Sequence, residues 1–321
     1  MTADTRLMLL EKRKYSEREG LKNDIVLWKK TLPPQTVIHH HVSQFEALSN
    51  WMIDRLDGLF ESNPARWPNL DPSTFNSLIV SILSGKWVLL RQVAQQRAPS
   101  SPYLEAAKSL DEYADQCYQR LRAVLKQNCG LNGISESSPL VYLGPIARLF
   151  LFDEEAPCLI SAPFAAANDM DEHGRELSRQ TIPHEVGHAI FDQIAGMVDE
   201  LKYIINTSLS GPGSNKKQDV IRSVILNWLE EMIADMAGTA VGGLSFAESA
   251  RRLTVMPARM AGVTDAEHPI PLLRVFVHGW VLDQTDTEAA RTFNRLLNEQ
   301  ITDQVNRPFE SLPAVITATM Q

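Results

Sequence analysis

His184-Glu185-Val186-Gly187-His188 is the stretch that decides how the rest of this sequence is interpreted. On an α-helix, residues four positions apart lie on one face, about 6 Å from each other. The two imidazoles can therefore bind one metal ion, while Glu185 can reach a water in an open coordination position. The pattern predicts a helix that holds zinc together with a catalytic base, as peptide hydrolysis requires.

The residues on either side of this motif favour a buried helix. Thr181-Ile182-Pro183 precedes it and Ala189-Ile190-Phe191 follows it, so both flanks are uncharged. Proline is tolerated only in the first turn of a helix, and the helix is therefore predicted to begin just before His184. The alternative is an ordinary helix with two surface histidines, because the bare motif also occurs by chance.

Composition indicates a globular protein. The 321 residues suffice for one large domain or two ordinary ones, and 44% hydrophobic residues with six Trp can fill a core. A net charge of −8, without basic residues clustered among aromatics, excludes a nucleic-acid surface. The three cysteines lack metal-ligand spacing and favour a reducing compartment. With no signal peptide or membrane span recognisable, we expect a cytoplasmic protein without membrane insertion.

Residues 1–130 have the pattern of a helical N-terminal region. Asp71-Pro72 and Ser101-Pro102 each place a capping side chain before a proline at a first helical position. Apolar residues at helical spacing predict four helices in this region. Their apolar faces are interpreted as the core of a bundle, with a regulatory or substrate-docking surface as the alternative.

Residues 131–321 begin with short extended runs and return to helices. Runs at 140–143, 148–152 and 157–162 predict a small sheet. The last run is either an edge strand that pairs with an extended substrate or an internal strand. A loop at 210–215 then leads into a long helix, predicted from about Gln218 to Gly238. The predicted fold class is thus α+β, predominantly helical.

A catalytic zinc site needs a third protein ligand, and the long helix offers one. Glu231 and Asp235 lie one turn apart on a mainly apolar helix, where carboxylates are costly unless paired or metal-bound. We expect Glu231 to coordinate the metal and Asp235 to accept a hydrogen bond from the outer ring nitrogen of His184. The alternative is a helix with a solvated stripe of acidic residues.

Residues 184–188 followed by Glu231-x-x-Ala234-Asp235 resemble the gluzincin zinc metallopeptidases. The resemblance implies a zincin-like catalytic domain in which a sheet packs on the active-site helix and a second helix supplies a glutamate ligand. The segment from Glu267 to Arg274, Glu-His-Pro-Ile-Pro-Leu-Leu-Arg, is further similar to the HtpX and prenyl-protease branch. The chain departs from that branch in lacking membrane helices. A metzincin is excluded, because its HExxHxxGxxH motif requires a glycine where this chain has Phe191 and a third histidine that this chain lacks. The gluzincin aminopeptidases carry a GxMEN-like element, and its lack here favours an endopeptidase.

The same resemblance implies roles for two residues near the end of the motif region. His268 would donate a hydrogen bond to the oxyanion, and Arg274 would orient polar groups nearby. A structural role for His268 at the start of a helix is the alternative. His278, Tyr203 and His173 are competing donors.

Taken together, these patterns predict a zinc-dependent endopeptidase whose substrate is a protein or peptide. One Zn²⁺ per chain would be bound by His184, His188 and Glu231, with Glu185 as general base. The metallopeptidase domain would occupy residues 131–321. The alternatives are a catalytically silent scaffold used in regulation and a peptidase dedicated to one partner protein.

Overall fold

The structure, a computed structural model, is mostly helical with one small sheet. It describes residues 17–30, 42–58, 72–144, 148–150, 158–166, 179–194, 196–208, 216–254, 268–269 and 271–306. Contacts divide the chain into two compact units, Met1–Lys108 with Leu151–Cys158 and Ser109–Phe150 with Leu159–Gln321. Among the described helices, none combines the length and the apolar character that crossing a membrane requires.

The first unit contains the helices that the sequence predicts near the N-terminus. They are α1 (17–30), α2 (Val42–Gly58) and α3 (Pro72–Gln96). The Trp28 ring packs edge to face on Trp87, with centroids 4.9 Å apart, and the Trp87 indole N–H donates to Asp24 at 2.8 Å. A fourth helix, α4 (Leu104–Cys129), lies mostly in the second unit. The predicted domain boundary at residue 130 stays a prediction.

The sheet of the second unit has three strands, β1 (Leu140–Gly144), β2 (Arg148–Phe150) and β3 (Leu159–Pro163). Strand β3 lies in the centre, parallel to β1 and antiparallel to β2. The run at 157–162 is therefore not an edge strand, and the hypothesis that it pairs with an extended substrate is wrong. Its backbone groups are already bonded to neighbours on both sides.

Within the described part of the chain, a short 3-10 helix at Phe164–Ala166 and five α-helices follow the sheet. The α-helices are α5 (Thr181–Phe191), α6 (Met197–Ser208), α7 (Lys216–Thr254), α8 (Pro271–Thr285) and α9 (Thr287–Asn306). Helix α5 packs on β2 and β3 on one side and on α7 on another, and α7 also packs on α8. Apart from the half-buried Thr181, the uncharged flanks of the motif are buried, as predicted. The helix that carries the two histidines is thus enclosed between the sheet and α7.

The first helical segment of α7 runs a few residues past the predicted end near Gly238, and a second segment after a kink ends at Thr254. The helix is interrupted by non-helical backbone at Gly243, where φ is 60°. A Cβ atom at Gly238 would lie 2.5 Å from the ring of Phe246, and one at Gly242 would lie 2.6 Å from its Cβ. These two glycines therefore make room for Phe246, which follows the kink.

Gly187 lets α5 and α7 approach each other at the level of the backbone. A Cβ atom at this position would lie 2.8 Å from Cα and 2.9 Å from the carbonyl oxygen of Ala234. Backbone atoms cannot rotate away as a side-chain tip can. Any side chain at Gly187 would therefore push the two helices apart.

Replacing Gly187 with Ala is expected to destabilise the protein, although alanine favours helix more than glycine does. Overpacking of this kind costs about 1–3 kcal/mol of unfolding free energy. The matched control is Gly85→Ala in α3, where a Cβ would meet nothing within 4 Å. That change is expected to stabilise by about 0.5–1 kcal/mol. Urea unfolding of both variants tests this, and equal effects would contradict the close packing.

Candidate metal centre

Three potential ligand atoms from two helices converge at one point of the second unit. His184 Nε2 and His188 Nε2 on α5 lie 3.1 Å apart. Glu231 on α7 places Oε1 3.3 Å from His188 Nε2 and Oε2 3.4 Å from His184 Nε2. All three side chains are largely buried, with exposed fractions of 15%, 12% and 16%. They form a group that could hold a metal ion.

The spacing of these atoms fits a small tetrahedral ion. Ligands bound at about 2.0–2.1 Å with tetrahedral angles lie about 3.3–3.4 Å from one another. The observed separations of 3.1, 3.3 and 3.4 Å are close to that value. Glu231 Oε2 is moreover buried and makes no hydrogen bond within the described residues. A cation between the three groups would satisfy this oxygen.

The charges around the histidines favour a bound cation. Burial alone would lower the pKa of His188, but the hydrogen-bonding carboxylates of Glu230 and Glu231 raise it to about 10. The pKa of His184 is also raised, because Asp235 and Glu231 outweigh its burial. The carboxylates that raise these pKa values would also attract a metal cation, which would displace the protons because a histidine ligand binds metal in its neutral form.

The carboxylate of Asp235 lies next to the outer ring nitrogen of His184, as the sequence predicts. Its Oδ1 is 3.0 Å from His184 Nδ1, and the carboxylate is 1% exposed. Because the carboxylate is ionised it only accepts hydrogen bonds, so His184 carries a proton on Nδ1, and the neutral ring then has its lone pair on Nε2. This leaves Nε2 directed at the metal position as a ligand.

Arg274 binds the same carboxylate with two nitrogens. Its Nε donates to Asp235 Oδ2 at 2.6 Å, and its Nη2 donates to Oδ1 at 2.8 Å. Burial would raise the pKa of Asp235, but the Arg274 guanidinium holds it well below its usual range. Arg274 thus contacts a buried polar group of this region, and its role in orienting polar groups near the reaction stays a prediction.

Glu185 is buried on the same turn of α5 as the first histidine, with 8% of its surface exposed. Its negative charge contributes to raising the pKa of both His188 and Arg274. The carboxylate therefore lies within electrostatic reach of the ligand group and of the residue that supports it. Its use as a general base stays a prediction.

Three of the four predicted oxyanion donors lie in the described residues, and they differ in burial. His268 lies exposed in a bend before α8, and the Tyr203 side chain on α6 is 69% exposed. His278 is fully buried beside Asp235, and His173 lies outside the described residues. The role of oxyanion donor stays a prediction for His268.

Two partners of the site were not identified from the sequence. One is Glu230, whose Oε1 lies 3.5 Å from His188 Nδ1 and which therefore faces the outer nitrogen of the second histidine. Thr239 hydrogen-bonds to His278 at 2.8 Å. Helical spacing could have indicated the contact between Thr239 and His278. Thr239 lies four residues after Asp235 and His278 four residues after Arg274, so each shares a helix face with a member of the ion pair.

No known protein family matches this chain, and neither a curated protein nor a solved structure does. The structure shows a mostly helical protein in which two histidines and a glutamate could hold a metal ion. The resemblance to gluzincins therefore rests on the sequence motifs.

Proposed function

We propose that this protein is a zinc-dependent endopeptidase of the gluzincin type. The observation that carries the proposal is the convergence of His184, His188 and Glu231 at separations suited to one tetrahedral ion. Asp235 orients the first of these ligands from behind. The acidic residue that peptide hydrolysis needs, Glu185, is buried next to it.

The chemistry of the donors favours zinc over other common ions. Two imidazole nitrogens and one carboxylate suit Zn²⁺, whereas Mg²⁺ and Ca²⁺ prefer sites made of oxygen alone. Three protein ligands also leave one coordination position open, which distinguishes catalytic from structural zinc sites. When bound, Zn²⁺ supplies Lewis-acid activation of water and of the scissile carbonyl.

The other steps of the proposed hydrolysis are assigned to individual residues of the chain. The Glu185 carboxylate would accept a proton from the attacking water and then donate that proton to the leaving amine. His268 is our candidate for stabilising the negative charge that develops on the carbonyl oxygen. Arg274 keeps Asp235 ionised and in place. The substrate is a protein or peptide, and the helices of residues 1–130 are candidates for its recruitment or for regulation.

The first test of this proposal is metal content. Elemental analysis of the purified protein is expected to give about one zinc per chain, as a single site with three protein ligands implies. A chain that folds and shows full peptidase activity without metal would end the proposal. A chain that binds zinc but cleaves no protein or peptide would support the silent scaffold instead.

The adjacent glutamates Glu231 and Glu230 give a matched comparison for the third ligand. Glu231→Gln is expected to weaken zinc binding by at least the 10- to 100-fold found for lost outer partners, since it removes a direct ligand. Glu230→Gln is expected to weaken it less, because Glu230 faces only the outer nitrogen of His188. Competitive zinc titration measures both. If only Glu230→Gln loses zinc, the third ligand has been assigned to the wrong glutamate.

A further inference from the structure

The N-terminal half of α7 differs in burial from the part of the helix that follows it. Residues 218–233 all lie in the described part of the chain, and none of them is buried. Immediately after them, Ala234 and Asp235 are 0% and 1% exposed. Glu231, with 16% of its side chain exposed, lies close to this boundary. Helix α7 is therefore open to solvent on the N-terminal side of the proposed metal ligand and closed on the C-terminal side.

The half-exposed stretch carries apolar side chains on the same face as Glu231. Val220, Val224 and Trp228 follow one another at intervals of four residues, and Glu231 comes three residues after the last of them. This spacing places all four side chains on one face of the helix. Val220 is 63% exposed, and the other two apolar residues are half-buried. These three residues, the apolar strip, lead from solvent to the proposed metal site.

We propose that the apolar strip is a substrate-binding surface, which takes apolar side chains of a polypeptide on one side of the scissile bond. The inference rests on the proposed function, because it assigns a substrate class to that same site. A polypeptide that reaches the ligand group extends from it in two directions. Along α7, the buried Ala234 and Asp235 leave only the direction of the strip.

Greater exposure alone does not single out a substrate-binding surface. Phe276 on α8 is 68% exposed. It lies two residues from Arg274, whose guanidinium binds Asp235, so the side chains of Phe276 and Arg274 point to different sides of α8. Phe276 is therefore not on the face of α8 that is directed at the site, whereas Trp228 shares the face of Glu231.

The chemistry of the strip selects apolar substrate residues and disfavours acidic ones. Covering exposed apolar surface removes it from water, which is favourable in proportion to the area covered. A charged substrate side chain would lose hydration on the strip without gaining a partner there. The Glu230 carboxylate, which is 38% exposed beside the second histidine, would also repel an acidic residue close to the scissile bond.

The length of the strip sets how much of the substrate it can contact. Each helical residue rises about 1.5 Å, so the distance along α7 from Val220 to Glu231 is roughly 16 Å. An extended peptide advances about 3.3 Å per residue, and about five residues would therefore cover this distance. We expect about five substrate residues on one side of the bond to contribute to binding.

Cleavage-site profiling tests the substrate class. The zinc-loaded wild-type chain is incubated with a peptide library made by digesting cell proteins, and the cleaved bonds are identified by mass spectrometry. Apolar residues are expected to be enriched within about five positions on one side of the bond. Trp228→Ser is expected to weaken this enrichment near the bond. Trp228→Phe is expected to retain it, because the indole N–H has no hydrogen-bond partner within the described residues.

Peptide affinity tests the length of the surface. A peptide chosen from the profile is titrated into zinc-loaded Glu185→Gln, which is expected to bind it without cleaving it. Extending the peptide from two to five residues beyond the bond, with apolar residues on the strip side, is expected to tighten binding by at least about 10-fold. Val220→Asp in the same background is expected to remove most of this gain, because the bound peptide would cover an unpaired carboxylate.

Val88→Asp provides the matched control for Val220→Asp. Val88 on α3 is 54% exposed, which is comparable with Val220, but it belongs to the first unit. The control is expected to leave peptide affinity unchanged. Zinc content is measured in every variant, so that loss of metal is not taken for loss of peptide binding.

Two results would overturn the inference while leaving the proposed function in place. One is cleavage by the wild-type chain with no apolar enrichment on either side of the bond. The other is binding of the long peptide by the Val220→Asp variant as tightly as by its Glu185→Gln parent. If the wild-type chain cleaves no peptide, the proposed function fails, and the assignment of the strip to a substrate fails with it.

Discussion

Replacing Glu185 with Gln is expected to abolish peptide hydrolysis while leaving about one zinc bound per chain. Glu185 lies beside the ligand group but is not one of the three converging ligands. An amide of the same shape cannot accept a proton, so the general base is lost without disturbing the site. General-base catalysis typically contributes about 10²–10⁴-fold, and turnover of a casein substrate is expected to fall by at least this factor.

The same variant separates a broad peptidase from one dedicated to a single partner. Comparing protein N-termini in cells that express the wild-type chain or Glu185→Gln identifies the bonds that depend on this carboxylate. Many new termini indicate a broad peptidase, and termini in one protein indicate a dedicated one. Full activity in Glu185→Gln would show that the base lies elsewhere and would refute the mechanism proposed for this site.

Replacing Asp235 with Leu is expected to produce the largest loss of stability. Arg274 would remain largely buried, with 17% of its side chain exposed, and would lose both of its strong hydrogen bonds. Breaking a buried ion pair by removing one partner costs about 3–5 kcal/mol. Urea unfolding measured in the presence of a chelator isolates this effect from any loss of bound metal.

The double variant Asp235→Leu with Arg274→Met provides the control for this prediction. Replacing both charges with apolar groups is often nearly neutral, so the double variant is expected to be more stable than Asp235→Leu alone. If the loss of unfolding free energy in the double variant equals the sum of the losses in Asp235→Leu and Arg274→Met, the broken ion pair does not cause the instability.

The stability that Asp235 contributes also depends on pH in a defined direction. The pKa of Asp235 is lowered in the folded state. Its contribution to stability is therefore complete above the pKa of an aspartate in the unfolded chain, about 4, and is progressively lost as the pH falls below that value. The difference between the wild-type chain and Asp235→Leu is therefore expected to narrow below about pH 4.

The parts of the site that could be predicted are those fixed by spacing along one helix. His184 and His188 lie one turn apart, and so do Glu231 and Asp235, so each pair shares a face whatever the rest of the chain does. The contact between His184 and Asp235 is predictable because a metal-binding histidine usually donates its outer ring N–H to a carboxylate or another acceptor. The hydrogen bond at 3.0 Å agrees with that expectation.

The parts that could not be predicted depend on packing between distant segments. The central position of β3 follows from how three strands pair, and their lengths do not reveal it. The continuation of α7 past Gly238 depends on Phe246, which fills the space that the glycine leaves. The contact of Glu230 with His188 depends on the rotation of α7 about its axis, which a pair of adjacent glutamates does not specify.

The backbone contact between Gly187 and Ala234 has a consequence for the thermodynamics of metal binding. The two helices that carry the ligands touch at the turn between the histidines and one turn from Glu231, so folding itself brings the three donors together. Ordering these side chains therefore belongs to the free energy of folding and not to that of binding. Preorganisation of this kind leaves more of the intrinsic coordination energy available as affinity.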